Sequence, residues 1–269
     1  MLNKYICQFA WPLIACVMCL AATGTNAASL GGPMTLEDEG SFFVNGKNIH
    51  SDYPGASLIS GPSPPGRITV NQMYVHYRIP VAKTGVPVVM VHGSTHTGVT
   101  YETTPDGREG WATYFVRKGS PVYVIDHAGR GRSGFDPTPI NQVRDKPGSN
   151  PASLPTLFLG SLERGWVNFR FGPAYPKTFP GLQFPIEALD HYTMQLVPNA
   201  ENTLAGIGAN TVNALAALLD KIGPAVVIVH SQSGVLGLDL VRKRANLVRA
   251  FITVEGGCDK FSADDAKNI

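Results

Sequence analysis

One stretch of the chain reads Val226-Val227-Ile228-Val229-His230-Ser231-Gln232-Ser233-Gly234, an apolar run that leads straight into a serine between small residues. The apolar run predicts a buried strand, and the small residues after it favour a sharp turn into a helix. A serine on such a turn stands exposed above the sheet, where it can act as a nucleophile. Because Val229 occupies a position where the usual pattern has glycine, a helix N-cap remains the alternative role for Ser231.

Two earlier segments have the same layout of a buried strand followed by a turn. Pro87–Val91 runs into His92-Gly93-Ser94, and Val122–Ile125 runs into Asp126 and a glycine-rich segment. Strands of this kind, separated by helical stretches, predict βαβ units and a parallel central sheet.

The glycine-rich segment Gly129–Gly134 is formally a G-x-G-x-x-G motif. In a dinucleotide-binding fold these glycines open a helix whose N-terminus holds the pyrophosphate. Here Pro137 and Pro139 follow, so no helix can start cleanly at that point. We predict a tight turn instead, with a structural role for Asp126.

Taken in this order, the three motifs resemble the α/β-hydrolase superfamily. The H-S-Q-S-G elbow is similar to that of a branch of secreted bacterial carboxylesterases, as are residues 101–111 and 169–173, and the resemblance extends from Ser41 to Cys258. It implies an α/β fold with a mostly parallel central sheet and helices on both faces. It also implies a serine hydrolase that acts on small-molecule esters and needs no metal or cofactor.

The resemblance further implies roles for four residues. Ser231 is the nucleophile, and Glu255, which follows the last strand, is the triad acid. The backbone N–H groups of Ser94 and Gln232 hold the oxyanion of the tetrahedral intermediate. Gly93 lets the backbone come close to the reacting atoms. The alternative for Glu255 is a solvated loop residue.

A serine nucleophile needs a base, normally a histidine, and in this fold that histidine follows the acid along the chain. All seven histidines precede Ser231, and Cys258 would be left without a partner after export. In the branch that the chain resembles, a cysteine near the acid can be bridged to a later part of the chain. These features predict a C-terminally truncated chain, inactive as it stands, that lacks its last strands and the triad histidine. Two alternatives stay open: a degenerate, non-catalytic hydrolase with a binding role, and another chemistry such as acyl transfer.

The first 27 residues differ in character from the rest. Lys4 precedes a long apolar stretch, and Thr25 and Ala27 supply the small residues that signal peptidase needs. We therefore predict a signal peptide cleaved after Ala27, a secreted or periplasmic protein, and no stable membrane span after cleavage. An uncleaved anchor helix and lipid attachment at Cys16 are the alternatives.

The remainder, residues 28–269, predicts a single domain. A hydrophobic content of 43% and a net charge of +2 indicate a globular protein and give no sign of a nucleic-acid partner. Residues 136–198 hold ten of the 21 prolines and eight aromatic residues, which predicts a loop-rich cap or lid inserted before the elbow. The sequence further predicts an antiparallel strand at Met73–Ile79 and a helix at about Glu201–Ile222. Residues 28–66 are rich in glycine, serine and proline, which predicts a segment that wraps the surface.

Overall fold

A computed structural model describes residues 32–200, 204 and 206–257 of the chain. The predicted signal peptide and Cys258 lie outside the described residues. The strands are β1 (Leu36–Val44), β2 (Lys47–Ser51), β3 (Ala56–Ser57), β4 (Gly61–Pro62), β5 (Gly66–Val70), β6 (Met73–Pro80), β7 (Val88–Val91), β8 (Val122–Asp126), β9 (Ala225–His230) and β10 (Val248–Val254). The α-helices are α1 (Val99–Glu102), α2 (Trp111–Arg117), α3 (Thr138–Asp145), α4 (Leu162–Asn168), α5 (Leu189–Met194), α6 (Ile207–Ile222) and α7 (Ser233–Arg244).

The centre of the fold is a six-stranded sheet in the order β1-β6-β8-β7-β9-β10. Strands β8, β7, β9 and β10 are parallel to one another, whereas β6 pairs antiparallel with both β8 and β1. The predicted mixed α/β fold with a mostly parallel sheet is therefore confirmed. The three strands that carry the motifs, β7, β8 and β9, lie side by side, so their carboxyl ends meet at one edge of the sheet.

Helices cover both faces of this sheet, as the continuous apolar runs predicted. On one face Val89 and Val91 of β7 pack with Leu215 of α6 and Leu240 of α7. On the other face the alternate residues of β7 pack with Tyr101 of α1 and with α2. Side chains alternate across a strand, so a strand buried on both faces must be apolar throughout.

The segment predicted to wrap the surface, residues 28–66, contains strands that the sequence did not predict. Residues Leu36–Val44 form β1 at the edge of the main sheet, and β2–β5 and β3–β4 form two small antiparallel pairs. Strand β1 reads Leu-Glu-Asp-Glu-Gly-Ser-Phe-Phe-Val, and none of its residues is fully buried. β1 is an edge strand with three charged residues in a row, Glu37, Asp38 and Glu39. It therefore lacks the continuous apolar run that indicates the buried strands.

The segment 136–198 contains α3, α4, α5 and two short 3₁₀ helices, and no strand. Its aromatic residues form a cluster, in which the rings of Phe171 and Phe184 stack with centroids 4.4 Å apart. Two hydrogen bonds attach the segment to the loop after β7: Tyr192 Oη to His96 Nε2 at 3.2 Å, and Val197 N to Thr95 O at 2.7 Å. No helix in the described part of the chain is both long and apolar enough to cross a membrane.

Candidate active site

The predicted strand–turn–helix layout around Ser231 is present. β9 ends at His230, α7 begins at Ser233, and Ser231 lies on the turn between them with a φ of +50°. Three backbone hydrogen bonds hold this turn: Ser231 N donates to Val254 O at 3.0 Å, and Ser231 O accepts from the N–H groups of Gly234 and Gly257 at 2.9 Å. The turn at Ser231 is therefore fixed by its connections to the end of β10.

The departure from the usual elbow pattern at Val229 is explained by a glycine elsewhere in the chain. A Cβ atom added to Gly237 of α7 would lie 2.9 Å from Val229 Cγ1. The strand therefore has the larger residue, Val229, and the helix has the glycine, Gly237. This arrangement still lets β9 and α7 approach each other closely. Gly234 is similarly constrained, since a Cβ there would lie 3.0 Å from Gly256 Cα and from Gly257 N.

The loop after β7 lies directly against the elbow. A Cβ atom on Gly93 would be 2.8 Å from His230 Nδ1 and 3.0 Å from Ser231 Cβ, which explains the glycine at this position. The next residue, Ser94, lines the same pocket as Ser231. Within the described part of the chain its N–H forms no hydrogen bond, so this donor remains available. Gln232 immediately precedes α7, at the positive end of the helix dipole.

A buried polar network lies beneath this loop, and sequence reasoning did not predict it. His92 Nδ1 donates to Gly93 O at 3.0 Å, and His92 Nε2 accepts from His127 N at 3.1 Å. His127 Nε2 donates to Ser233 Oγ at 2.8 Å, and that hydroxyl in turn donates to His92 O. Burial lowers the pKa of His127 to about 3 and that of His92 well below its ordinary value, so both rings are neutral at neutral pH.

The glycine-rich turn after β8 is a structural element, as predicted. Gly129 and Gly131 have positive φ angles, and no helix begins until Thr138. Asp126 accepts hydrogen bonds from Gly98 N at 2.7 Å and from Arg132 N and Nε at 2.9 and 2.8 Å. Burial alone would raise the pKa of Asp126, but these donors and the Arg132 charge bring it below its ordinary value.

Glu255 directly follows β10 and has a φ of +50°. Its carboxylate accepts hydrogen bonds from Arg170 Nη2 at 2.9 Å and from Arg170 Nη1 at 3.3 Å. Both side chains are largely exposed, at 62% and 73%, so this ion pair adds little to stability. Its effect is to connect the segment 136–198 to the residue predicted as the triad acid.

The candidate site opens into a cavity of about 820 Å³. Ser94, Ser231 and Glu255 all line it, which brings together three of the four predicted site residues. The segment 136–198 supplies much of the opposite wall, through Phe158, Gly160, Arg164, Gly165, Asn168, Phe169, Arg170 and Leu196.

Backbone strain is concentrated around this cavity. Among the described residues, six that are not glycine have positive φ angles, and four of these line the cavity: Thr95, Arg170, Ser231 and Glu255. The other two are asparagines, which tolerate the left-handed region far better. Strained backbone of this kind is typical of functional sites.

No histidine hydrogen-bonds to the Ser231 hydroxyl, although all seven histidines are among the described residues. Six of them engage other groups: His50, His76, His92, His96, His127 and His191. The seventh, His230, lines the cavity together with Ser231. His230 Nδ1 is buried without a hydrogen-bond partner, and burial lowers the pKa of this ring. The described residues contain no cluster of three or more metal-ligating side chains.

Comparison with known proteins gives two informative relatives, although no protein-family model matches the chain. The chain is 32% identical over 184 residues to the "Probable secreted lipase phiG" of Fungal sp. (strain ATCC 74256). That alignment covers 68% of this chain and 48% of the lipase, so the chain spans about half the length of the curated relative it matches.

The second relative is a solved structure, described as that of a novel bacterial esterase. It superposes with a TM-score of 0.81 at 41% sequence identity, over 90% of this chain and 74% of the esterase. The chain thus belongs to the family of that bacterial esterase.

Proposed function

We propose that the protein is a serine carboxylic-ester hydrolase that forms an acyl-enzyme on Ser231. The observation that supports this most strongly is the position of Ser231, on a strained strand-to-helix turn at a cavity that Ser94 and Glu255 also line. A helix N-cap would need neither the strained backbone nor the cavity. The secreted lipase and the bacterial esterase support the same reaction class.

In the proposed reaction Ser231 Oγ attacks the ester carbonyl while a base removes its proton. The carbonyl oxygen becomes an oxyanion that accepts hydrogen bonds from the backbone N–H groups of Ser94 and Gln232. The tetrahedral intermediate then expels the alcohol, which receives the proton from the base. Water, activated by the same base, hydrolyses the acyl-enzyme and regenerates the Ser231 hydroxyl.

We assign the base to a histidine other than the seven in this sequence, and Glu255 to its orientation. Six of the seven are engaged elsewhere, and His230, although it lines the cavity, makes no hydrogen bond to Ser231. The ion pair with Arg170 leaves Glu255 able to accept a further hydrogen bond, because a carboxylate has about four acceptor sites. Glu255 would therefore hold the imidazole in the correct tautomer and stabilise its protonated form.

The proposed substrates are small-molecule esters whose acyl or aromatic portion contacts Phe158, Phe169 and Leu196 on the cavity wall. We propose that the segment 136–198 acts as a cap over this cavity. An exported location, secreted or periplasmic, is also part of the proposed function, and the secreted lipase relative supports it.

The test is the Ser231→Ala variant in the full natural protein, assayed for p-nitrophenyl ester hydrolysis and for covalent labelling by a fluorophosphonate. Both activities should disappear while the circular dichroism spectrum is unchanged. Ser60→Ala, at an exposed hairpin serine, is the matched control and should keep both. A Ser231→Ala variant with wild-type turnover would show that the elbow is not catalytic.

Two further measurements separate the rival interpretations. His230→Gln should keep turnover, and its inactivity with a native fold would assign the base to His230 instead. A wild-type protein that binds esters but neither hydrolyses them nor reacts with the fluorophosphonate would establish a binding role. Analysis of the products with an added alcohol as acceptor distinguishes hydrolysis from acyl transfer.

A further inference from the structure

Arg130 occupies an unusual position between the two halves of the proposed oxyanion hole. It lies on the turn after β8 and is only 1% exposed. Its Nη1 donates to Gly93 O at 2.6 Å and to His96 O at 3.1 Å, and its Nη2 donates to Gln232 Oε1 at 3.2 Å. A single guanidinium therefore contacts both the loop after β7 and the elbow.

The contact with Gly93 O determines the orientation of the Ser94 N–H. The carbonyl of Gly93 and the N–H of Ser94 belong to one planar trans peptide, so the two groups point in opposite directions. Arg130 Nη1, His92 Nδ1 and His96 N all donate to that carbonyl. These donors on one oxygen fix the peptide plane, and they leave the Ser94 N–H directed away from Arg130.

The charge on Arg130 also makes that N–H a better donor. A hydrogen bond from a cation polarises the peptide that accepts it, and the effect is larger where water is excluded. Burial lowers the pKa of Arg130 to about 9, so the guanidinium is still charged at neutral pH. The developing oxyanion would therefore meet a peptide that is already polarised in the favourable direction.

The geometry points to Arg130 as a positioning residue that aligns the Ser94 peptide with the Gln232 turn, so that both N–H groups meet the same oxyanion. This inference rests on the proposed function of Ser231. Arg130 acts through Gly93 and Gln232 and does not line the cavity itself. The planar fork of an arginine is needed, because a lysine ammonium is a point charge that cannot reproduce the same set of contacts.

The test compares Arg130→Lys and Arg130→Met with Arg132→Met in the full natural protein. Arg132 is a matched control on the same turn, because it donates to Asp126 and not to Gly93 or Gln232. Removing a direct oxyanion donor costs about 10²–10³ in kcat, so we expect both Arg130 variants to lose about 10–100-fold in kcat with little change in KM. Arg132→Met should keep the wild-type kcat.

A trifluoromethyl ketone inhibitor supplies the readout that a merely structural role would not change. It adds to the serine and places an oxyanion in the hole, so its affinity should fall by the same factor as kcat in Arg130→Lys, while KM for the ester does not change. A third variant, Arg130→Ala, tests chemical rescue. Methylguanidinium added to this variant should restore part of its kcat.

The possible failures are distinguishable from one another. Wild-type kcat and inhibitor affinity in Arg130→Lys would overturn the inference, even if Arg130→Met fails to fold. If Ser231→Ala is inactive in the same preparation, the proposed function survives that result. If Ser231→Ala retains turnover, the proposed function itself is wrong.

Discussion

Gly93→Ala would place a methyl group where the loop after β7 meets the elbow. The new Cβ would lie 2.8 Å from His230 Nδ1 and 3.0 Å from Ser231 Cβ. Carbon atoms in optimal contact are about 3.5–4.0 Å apart, so the loop and the elbow must separate by about 0.5–1 Å. Rotation of a side chain cannot relieve this clash, because Ser231 Cβ is attached directly to the backbone.

A displacement of this size moves the Ser94 N–H away from the proposed position of the oxyanion. A misplacement of about 1 Å can cost about 10²-fold in rate, and we expect kcat for a p-nitrophenyl ester to fall by about that factor. The overpacking should also lower the free energy of unfolding by about 1–3 kcal/mol, measured in urea. Gly208→Ala is the control, since its nearest contact would be an ordinary 3.6 Å to Leu236 Cδ2. A Gly93→Ala enzyme with wild-type kcat would refute the close approach of loop and elbow.

Two further predictions concern stability. Gly237→Ala should lower the free energy of unfolding by about 1–3 kcal/mol, because its methyl group would collide with Phe251 and Val229. Val229→Ala should recover part of that loss, whereas strictly additive costs in urea titrations would argue against the compensation between the two positions. The free energy of unfolding should also fall as the pH drops from about 6.5 toward 4, because the unfolded chain then binds protons that buried, neutral His96 and His127 do not. Burial lowers the pKa of His96 to about 4, so this ring alone accounts for a loss on the order of 3 kcal/mol. His96→Gln should flatten the pH dependence measured by urea titration, and an unchanged slope would contradict the assignment.

Much of the central sheet could be predicted because its strands are buried on both faces. Continuous apolar runs identified β7, β8 and β9 to within a residue or two at each end. The helix predicted at about Glu201–Ile222 is α6, which begins at Ile207 in the described part of the chain. Strand β1 was missed because an edge strand faces solvent and its sequence is rich in charged residues.

The parts of the site that could not be predicted depend on contacts between distant residues. The valine at position 229 departs from the usual pattern, and only the packing of α7 shows that Gly237 compensates for it. Likewise, nothing in the local sequence of Arg130 indicates that its guanidinium reaches both Gly93 and Gln232. The role of Glu255 stays a prediction, because its partner in the structure is Arg170.

The left-handed backbone at Thr95, Arg170, Ser231 and Glu255 has a consequence for engineering. Each such residue costs of order 1–3 kcal/mol, which glycine would largely remove. Directed evolution that selects only for survival of heating would therefore collect glycine or asparagine at these four positions. The resulting proteins would have higher melting temperatures and a lower rate of the proposed ester hydrolysis. A thermostability screen on this scaffold must therefore score turnover in the same round.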